Sequence, residues 1–422
     1  MWYRARHRIV LILLATSSAV ATAQSDGETA QLPSGAEWRA DMPAKWNGTL
    51  LLYSRGYAPV PGKAESAPRQ MTRALLDAGY ALAGSNYGAG GWSLAEAVPA
   101  QRATIAAFAA RYGQPKRVIA WGSSMGGLVS TALAEQQGAG IDGALAMCSS
   151  IGGAVGMMNM ALDGAYAFKT LIAPDSDLRL VGIDDDRLNA QRATAALNVA
   201  MQTPEGRARV ALAGVLAGIP GWTSRDRPEP ESADFGAQVE EIGRAFVMGV
   251  FLPRTDQEQR AGGVFSWNEG VDYTRQLDFS GRRAMVEALY KAAALDLESD
   301  LARLNSGARI AAKPKAVRYM LDHYTPNAQP LVPIAAVQMV GDGATSPALQ
   351  RGYMDAAPAA MARGYYVRGA GHCTFDNATT LASLALLETR MSSGRWPALA
   401  EPFIPFTPQP MMRACVREKS CK

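Results

Sequence analysis

Histidine is almost missing from this chain: there are three in 422 residues. One of them, His7, stands in a basic N-terminal stretch, which leaves His323 and His372 as the only imidazoles for proton transfer in the body of the protein. Cysteine is nearly as scarce, with four residues and no C-x-x-C spacing. No cluster of histidines, cysteines and carboxylates has metal-ligand spacing, so neither a metal nor a cofactor is expected. No internal repeat is present. One apolar run stands out, Ile9 to Ala23, and it is too short and too rich in small residues to read as a membrane span. Excess charge is lacking too. The net charge is +4, and three of the positive charges (Arg4, Arg6 and Arg8) precede that run.

The segment MWYRARHR followed by IVLILLATSSAVATA reads as a signal peptide, residues 1–23, with Ala21-Thr22-Ala23 as the cleavage site. The chain is then expected to be exported, to periplasm or medium, with no stable membrane anchor. Removal of the segment takes the net charge down by three to +1. Such a balance points to neither nucleic acid nor an anionic membrane as partner. In an oxidising compartment four cysteines make two disulfides, with three possible connectivities.

Two adjacent serines lie in RVIAWGSSMGGLVS, residues 117–130. Ser124 has Gly122 and Gly126 two residues away on either side, whereas Ser123 has Trp121 and Met125. A nucleophilic serine on a sharp strand-to-helix turn needs small residues at both places, so Ser124 is the candidate. The Met125 N–H, opening the following helix, is the natural first donor to an oxyanion.

Strand-like runs at 37–43, 48–57, 80–86, 117–121 and 143–150 alternate with helical patterns at 66–78, 94–113 and 126–137. This rhythm predicts an α/β fold with a mostly parallel sheet covered on both faces. From 151 to 330 the apolar spacing is helical, interrupted by the turn-rich GWTSRDRPEPES at 221–232. The βα rhythm resumes at VPIAAVQMVGDG, and Asp342 ends that strand. His372 follows the strand GYYVRG. Asp342 is placed to hold an imidazole N–H, with Asp355 as its reserve. His372 is placed as the base, with His323 as its competitor. The proline-rich tail, 396–422, is expected to lie across the surface.

The order Ser124, Asp342, His372, each after its own strand, resembles the α/β-hydrolase superfamily. The resemblance covers roughly residues 30–150 and 330–395, implies a core of 24–150 and 331–395, and makes 151–330 a helical cap inserted between the two parts. It also implies a second oxyanion donor in the loop YSRGYAP, at the Tyr57 N–H, with Arg55 where histidine is common. A cap over an apolar pocket would use Met157, Met158, Tyr166 and Phe168, and the loop NYGAGGW offers Tyr87 and Trp92 as further walls. Tannase-like and feruloyl-esterase-like members pair a cysteine after the histidine with one before the serine. Here Ser123 stands in the second place, so the implied partner of Cys373 becomes Cys148, and Cys415 is left with Cys421.

An exported serine hydrolase acting on small carboxylic esters is the expectation. An aminopeptidase or amidase of the same fold is the alternative, with Glu240, Glu241 or Glu269 available to hold an α-amino group. A non-catalytic binding protein is disfavoured by the complete set of nucleophile, acid and base.

Overall fold

The computed structural model describes residues 27–421, so the expected signal peptide lies outside the described residues. The first part of the chain forms β1 (Glu28–Gln31), β2 (Glu37–Asp41), β3 (Thr49–Ser54), α1 (Arg69–Asp77), β4 (Ala81–Ser85), α2 (Leu94–Tyr112), β5 (Arg117–Ser123), α3 (Met125–Ala134) and β6 (Gly143–Met147). Helices follow without a strand: α4 (Ala154–Leu171), α5 (Asp186–Ala200), α6 (Pro204–Leu216), α7 (Phe235–Val250), α8 (Thr255–Ala261), α9 (Tyr273–Phe279), α10 (Arg283–Ala292), α11 (Leu297–Ser306) and α12 (Pro314–Tyr324). The alternation returns with β7 (Ile334–Gly341), α13 (Pro347–Ala356), β8 (Ala362–Ala370) and α14 (Asn377–Ser393), and short strands β9 (Phe403–Ile404), β10 (Cys415–Val416) and β11 (Ser420–Cys421) end the chain.

Nine strands make one sheet in the order β1-β2-β4-β3-β5-β6-β7-β8-β9. The six from β4 to β8 run parallel, and antiparallel strands occupy both edges. Strands β3, β4, β6 and β7 are buried along their whole length, as in TLLLYS and IAAVQMVG. A parallel sheet with helices on both faces demands such continuous apolar runs rather than alternation. The two faces carry separate hydrophobic clusters, one including Leu50, Ala120 and Leu128, the other including Leu51, Trp121 and Leu387. A third cluster, with Phe168, Phe246 and Tyr290, belongs to the helical segment alone. The parallel strands all end toward the same edge, and the residues discussed below sit in the loops at that edge.

The tail does not simply cross the surface. Met411, Met412 and Arg413 are buried. The Arg413 guanidinium donates to both Asp163 oxygens, at 3.0 and 2.8 Å, and to the Trp267 carbonyl at 3.0 Å. Tyr273 Oη donates to the same carboxylate. Asp163, in mid-α4, is fully buried, and burial pushes its pKa up to about 6 against the pull of Arg413. The proline-rich composition hid this insertion, because a single buried arginine has no periodic signature. Arg413→Ala should strand the Asp163 carboxylate and cost about 3–5 kcal/mol. The check is the denaturation midpoint in urea. The double variant Asp163→Asn, Arg413→Met should recover much of the loss, and an unshifted midpoint in the single variant would refute the assignment.

Candidate active site

The turn between β5 and α3 holds Ser124 at φ 59°, ψ −125°, a left-handed conformation that is strained for serine. The turn closes only because its neighbours lack side chains. A Cβ on Gly122 would stand 2.5 Å from the carbonyl oxygens of Gly126 and Ser54, and one on Gly126 would collide with the Ser54 carbonyl. Backbone bonds fix the turn from outside, with Ser124 N–H donating to the Met147 carbonyl at 3.0 Å and Ser150 N–H to the Ser124 carbonyl at 3.3 Å. Ser123 stays in the ladder, paired with Met147 as the last residue of β5.

His372 Nε2 lies 3.0 Å from Ser124 Oγ. Its Nδ1 lies 2.9 and 3.1 Å from the two oxygens of Asp342. Asp342 is fully buried, and its oxygens are spoken for. Oδ1 accepts from the N–H groups of Ala344 and Thr345, both at 2.9 Å, and Oδ2 lies 2.9 Å from the Thr345 hydroxyl. Burial of His372 opposes its protonation, but the Asp342 charge and hydrogen bond outweigh that and leave the imidazole pKa raised. The chain hydroxyl, imidazole, carboxylate is thus continuous. It can draw a proton from Ser124 and fix the imidazole tautomer with its proton on Nδ1.

Thr345 was not singled out from the sequence, where DGAT reads as a plain turn. Its hydroxyl is within 2.8 Å of the Cys148 carbonyl and 3.3 Å of His372 Nδ1, as well as bonded to Asp342. It braces the Asp342 carboxylate beside the imidazole. The other candidates fall away. His323 lies in the last turn of α12, exposed and packed at a tilt against Tyr319. Asp355 pairs with Arg351 on α13.

A disulfide joins Cys148, just past β6, to Cys373, with Cα atoms 5.3 Å apart. It lies directly beneath the imidazole, with Cys373 Sγ 3.5 Å from His372 Nε2. Both cysteines have positive φ, 41° and 57°. The second disulfide joins Cys415 and Cys421 across β10 and β11.

Gly56 faces the serine: a Cβ there would be 3.4 Å from Ser124 Cβ and 3.9 Å from Oγ. The loop after β3 therefore passes beside the hydroxyl, and Tyr57 follows in it. Met125 opens α3, whose first N–H groups have no intrahelical acceptor. Arg55 does not reach toward the serine. Its guanidinium donates to the carbonyls of Gly56, Asn86 and Ala89 and stacks over the Tyr87 ring.

The residues expected as pocket walls lie in the interior. Tyr87, Trp92, Met157, Met158, Tyr166 and Phe168 are all buried. Tyr87 lies under the loop after β3 and donates to the Arg55 carbonyl. Trp92 packs on Tyr57. Met157 and Met158 belong to the cluster on the sheet, with the Met158 carbonyl taken by Arg254. Tyr166 stacks on Tyr273 and bonds the Leu304 carbonyl, and Phe168 packs on Phe246 and Phe251. The reason is that α4 is wrapped nearly all round, by the core on one side and helices on the other, so its apolar residues fill interior rather than roof a cavity.

The glutamates of the alternative reading also have other work. Glu241, buried, accepts from the N–H groups of Thr223 and Ser224 at 2.9 and 2.7 Å and so clamps the 221–234 loop. Glu240 pairs with Arg207 at 2.8 Å, and Glu269 is exposed.

No family model matches the chain. It is 29% identical over 411 residues to an o-phthalyl amidase of Xanthobacter agilis, with 88% of each chain covered. Among solved structures it aligns with a proline iminopeptidase of Mycobacterium smegmatis at 15% identity and a TM-score of 0.40, covering 87% of this chain and 98% of that one. It aligns with feruloyl esterase B of Aspergillus oryzae at 13% identity and 0.40, covering 88% and 80%. A mainly parallel sheet that presents a serine after β5, a carboxylate after β7 and an imidazole after β8, in contact with one another, has the fold of the α/β-hydrolase type.

Proposed function

We propose that this chain is a serine hydrolase that cleaves carboxylic esters through an acyl-enzyme. The observation that carries the reading is the 3.0 Å approach of His372 Nε2 to Ser124 Oγ with Asp342 on the other ring nitrogen. In this reading His372 takes the hydroxyl proton as Ser124 attacks the carbonyl carbon. The tetrahedral oxyanion is held by the Met125 and Tyr57 N–H groups. His372 then protonates the departing alcohol, and a water activated by the same imidazole releases the acid and restores Ser124. Export belongs to the proposal. Two disulfides suit an oxidising compartment, and no helix among the described residues is long and apolar enough to cross a membrane.

Amide cleavage is a second reading, favoured by the likeness to an o-phthalyl amidase. Its aminopeptidase form is less supported, because Glu240 and Glu241 are engaged elsewhere. The separating measurement is kcat/KM for p-nitrophenyl acetate and butyrate, for an o-phthalyl amide, and for an aminoacyl p-nitroanilide with its amine free or blocked. The ester reading expects the esters to be fastest, with no penalty for blocking an amine. An o-phthalyl amide turned over faster than either ester would install the amidase reading. Anilide activity abolished by blocking would install the aminopeptidase.

A further inference from the structure

A cavity of about 730 Å³ opens where α6, α7 and α10 meet the ends of β7 and β8 and the tail. Neither Ser124 nor His372 lines it. Trp222, Phe235, Met285, Phe406 and Met412 give it an apolar wall. Arg282, immediately before α10, is the exception. Its guanidinium donates to the Ile219 carbonyl and approaches the Met285 sulfur, and no carboxylate among the described residues lies within ion-pair distance of it. Two other partly buried arginines of the helical segment do have such a partner, Arg209 with Asp300 and Arg260 with Asp256. Burial alone pushes the Arg282 pKa down to about 10. The two acids of the lining are exposed at the rim, and Glu229 is paired with Arg368.

The first turn of α10 adds to the same field. No side chain caps this 10-residue helix, and Ala284 and Met285 of its first turn line the cavity. Free N–H groups and the positive end of the helix dipole favour an anion beside a cation that already lacks one. A single guanidinium fork matches one carboxylate, and the apolar wall matches a ring or short chain attached to it.

We propose that this cavity is a binding site for an organic monocarboxylate with an apolar body, held by Arg282 and the start of α10 and separate from the Ser124 site. Trp222 forms part of its wall, and the Trp222 carbonyl packs against Gly341, the residue before Asp342. Three residues on, Arg225 packs beside Gly371, next to His372. An occupant would therefore bear on the segment that flanks the acid and the base.

The probe is benzoate, titrated calorimetrically into the full protein before and after treatment with a fluorophosphonate. Benzoate should bind equally in both states. Arg282→Met should weaken it tenfold or more, and benzamide, of the same shape without the charge, should bind the unaltered protein at least tenfold more weakly. Ala284→Phe narrows the mouth from an exposed helical position and should also weaken binding tenfold with an unchanged melting temperature, which keeps the test alive if Arg282→Met fails to fold. Equal affinity in Ala284→Phe, equal affinity for benzamide, or binding lost on blocking the serine would overturn the proposal. The readout is binding alone, so a failure of the Ser124 reading would leave it unaffected.

Discussion

Ser124→Ala should abolish labelling by a fluorophosphonate probe and lower ester turnover by about 10³-fold or more, while Ser123→Ala should label as the unaltered protein does. The two residues are neighbours with one hydroxyl each, so only backbone geometry separates them. Ser124 stands at the left-handed turn with its oxygen on His372, whereas Ser123 is still paired in the sheet. Labelling that survives in Ser124→Ala and vanishes in Ser123→Ala would reverse the assignment.

Asp342→Asn should lower kcat by about 10³- to 10⁴-fold without unfolding the protein. The hydrogen bonds dictate how the amide must sit. Two backbone N–H groups, from Ala344 and Thr345, point at Oδ1, so the amide oxygen has to stay there. The amide nitrogen then replaces Oδ2 and turns its hydrogens toward Thr345 and His372 Nδ1. That nitrogen of the imidazole becomes an acceptor, its proton moves to Nε2, and Nε2 can no longer take the proton of Ser124. The pH profile should move as well. In the unaltered protein Asp342 raises the His372 pKa above its ordinary 6.5, so activity should fall with acid around a midpoint above that value. In Asp342→Asn the opposing effect of burial remains alone, and the midpoint of the residual activity should drop. A kcat within tenfold of the original, with an unmoved acid limb, would remove Asp342 from the mechanism.

The sharp turn at Ser124 was legible because its requirement is local. Gly122 and Gly126 are needed by the turn itself, whose backbone packs on the Ser54 carbonyl. The placement of Asp342 and His372 was legible because each follows an apolar β-branched or aromatic run that reads as a strand on its own. Thr345 was not, since its value lies in touching Cys148 and His372, far away in sequence. The interior packing of the expected pocket walls was not legible for a related reason. Met157 and Phe168 have the spacing of an amphipathic helix, but what covers α4 is decided by partners such as Phe246 and Arg413 that no local pattern announces. The insertion of the tail is the same kind of fact: one arginine, Arg413, finds one aspartate 250 residues earlier.

The Cys148–Cys373 bond has a topological consequence. The two cysteines bracket the whole helical segment and the strand carrying the acid, 225 residues in sequence. That stretch is a covalent ring. A protease that cuts the exposed turns of the segment, such as those at 224–232, opens the ring without dividing the molecule. Both pieces remain tied within a few ångströms of His372, and a nicked chain would run as intact until a reductant separates it.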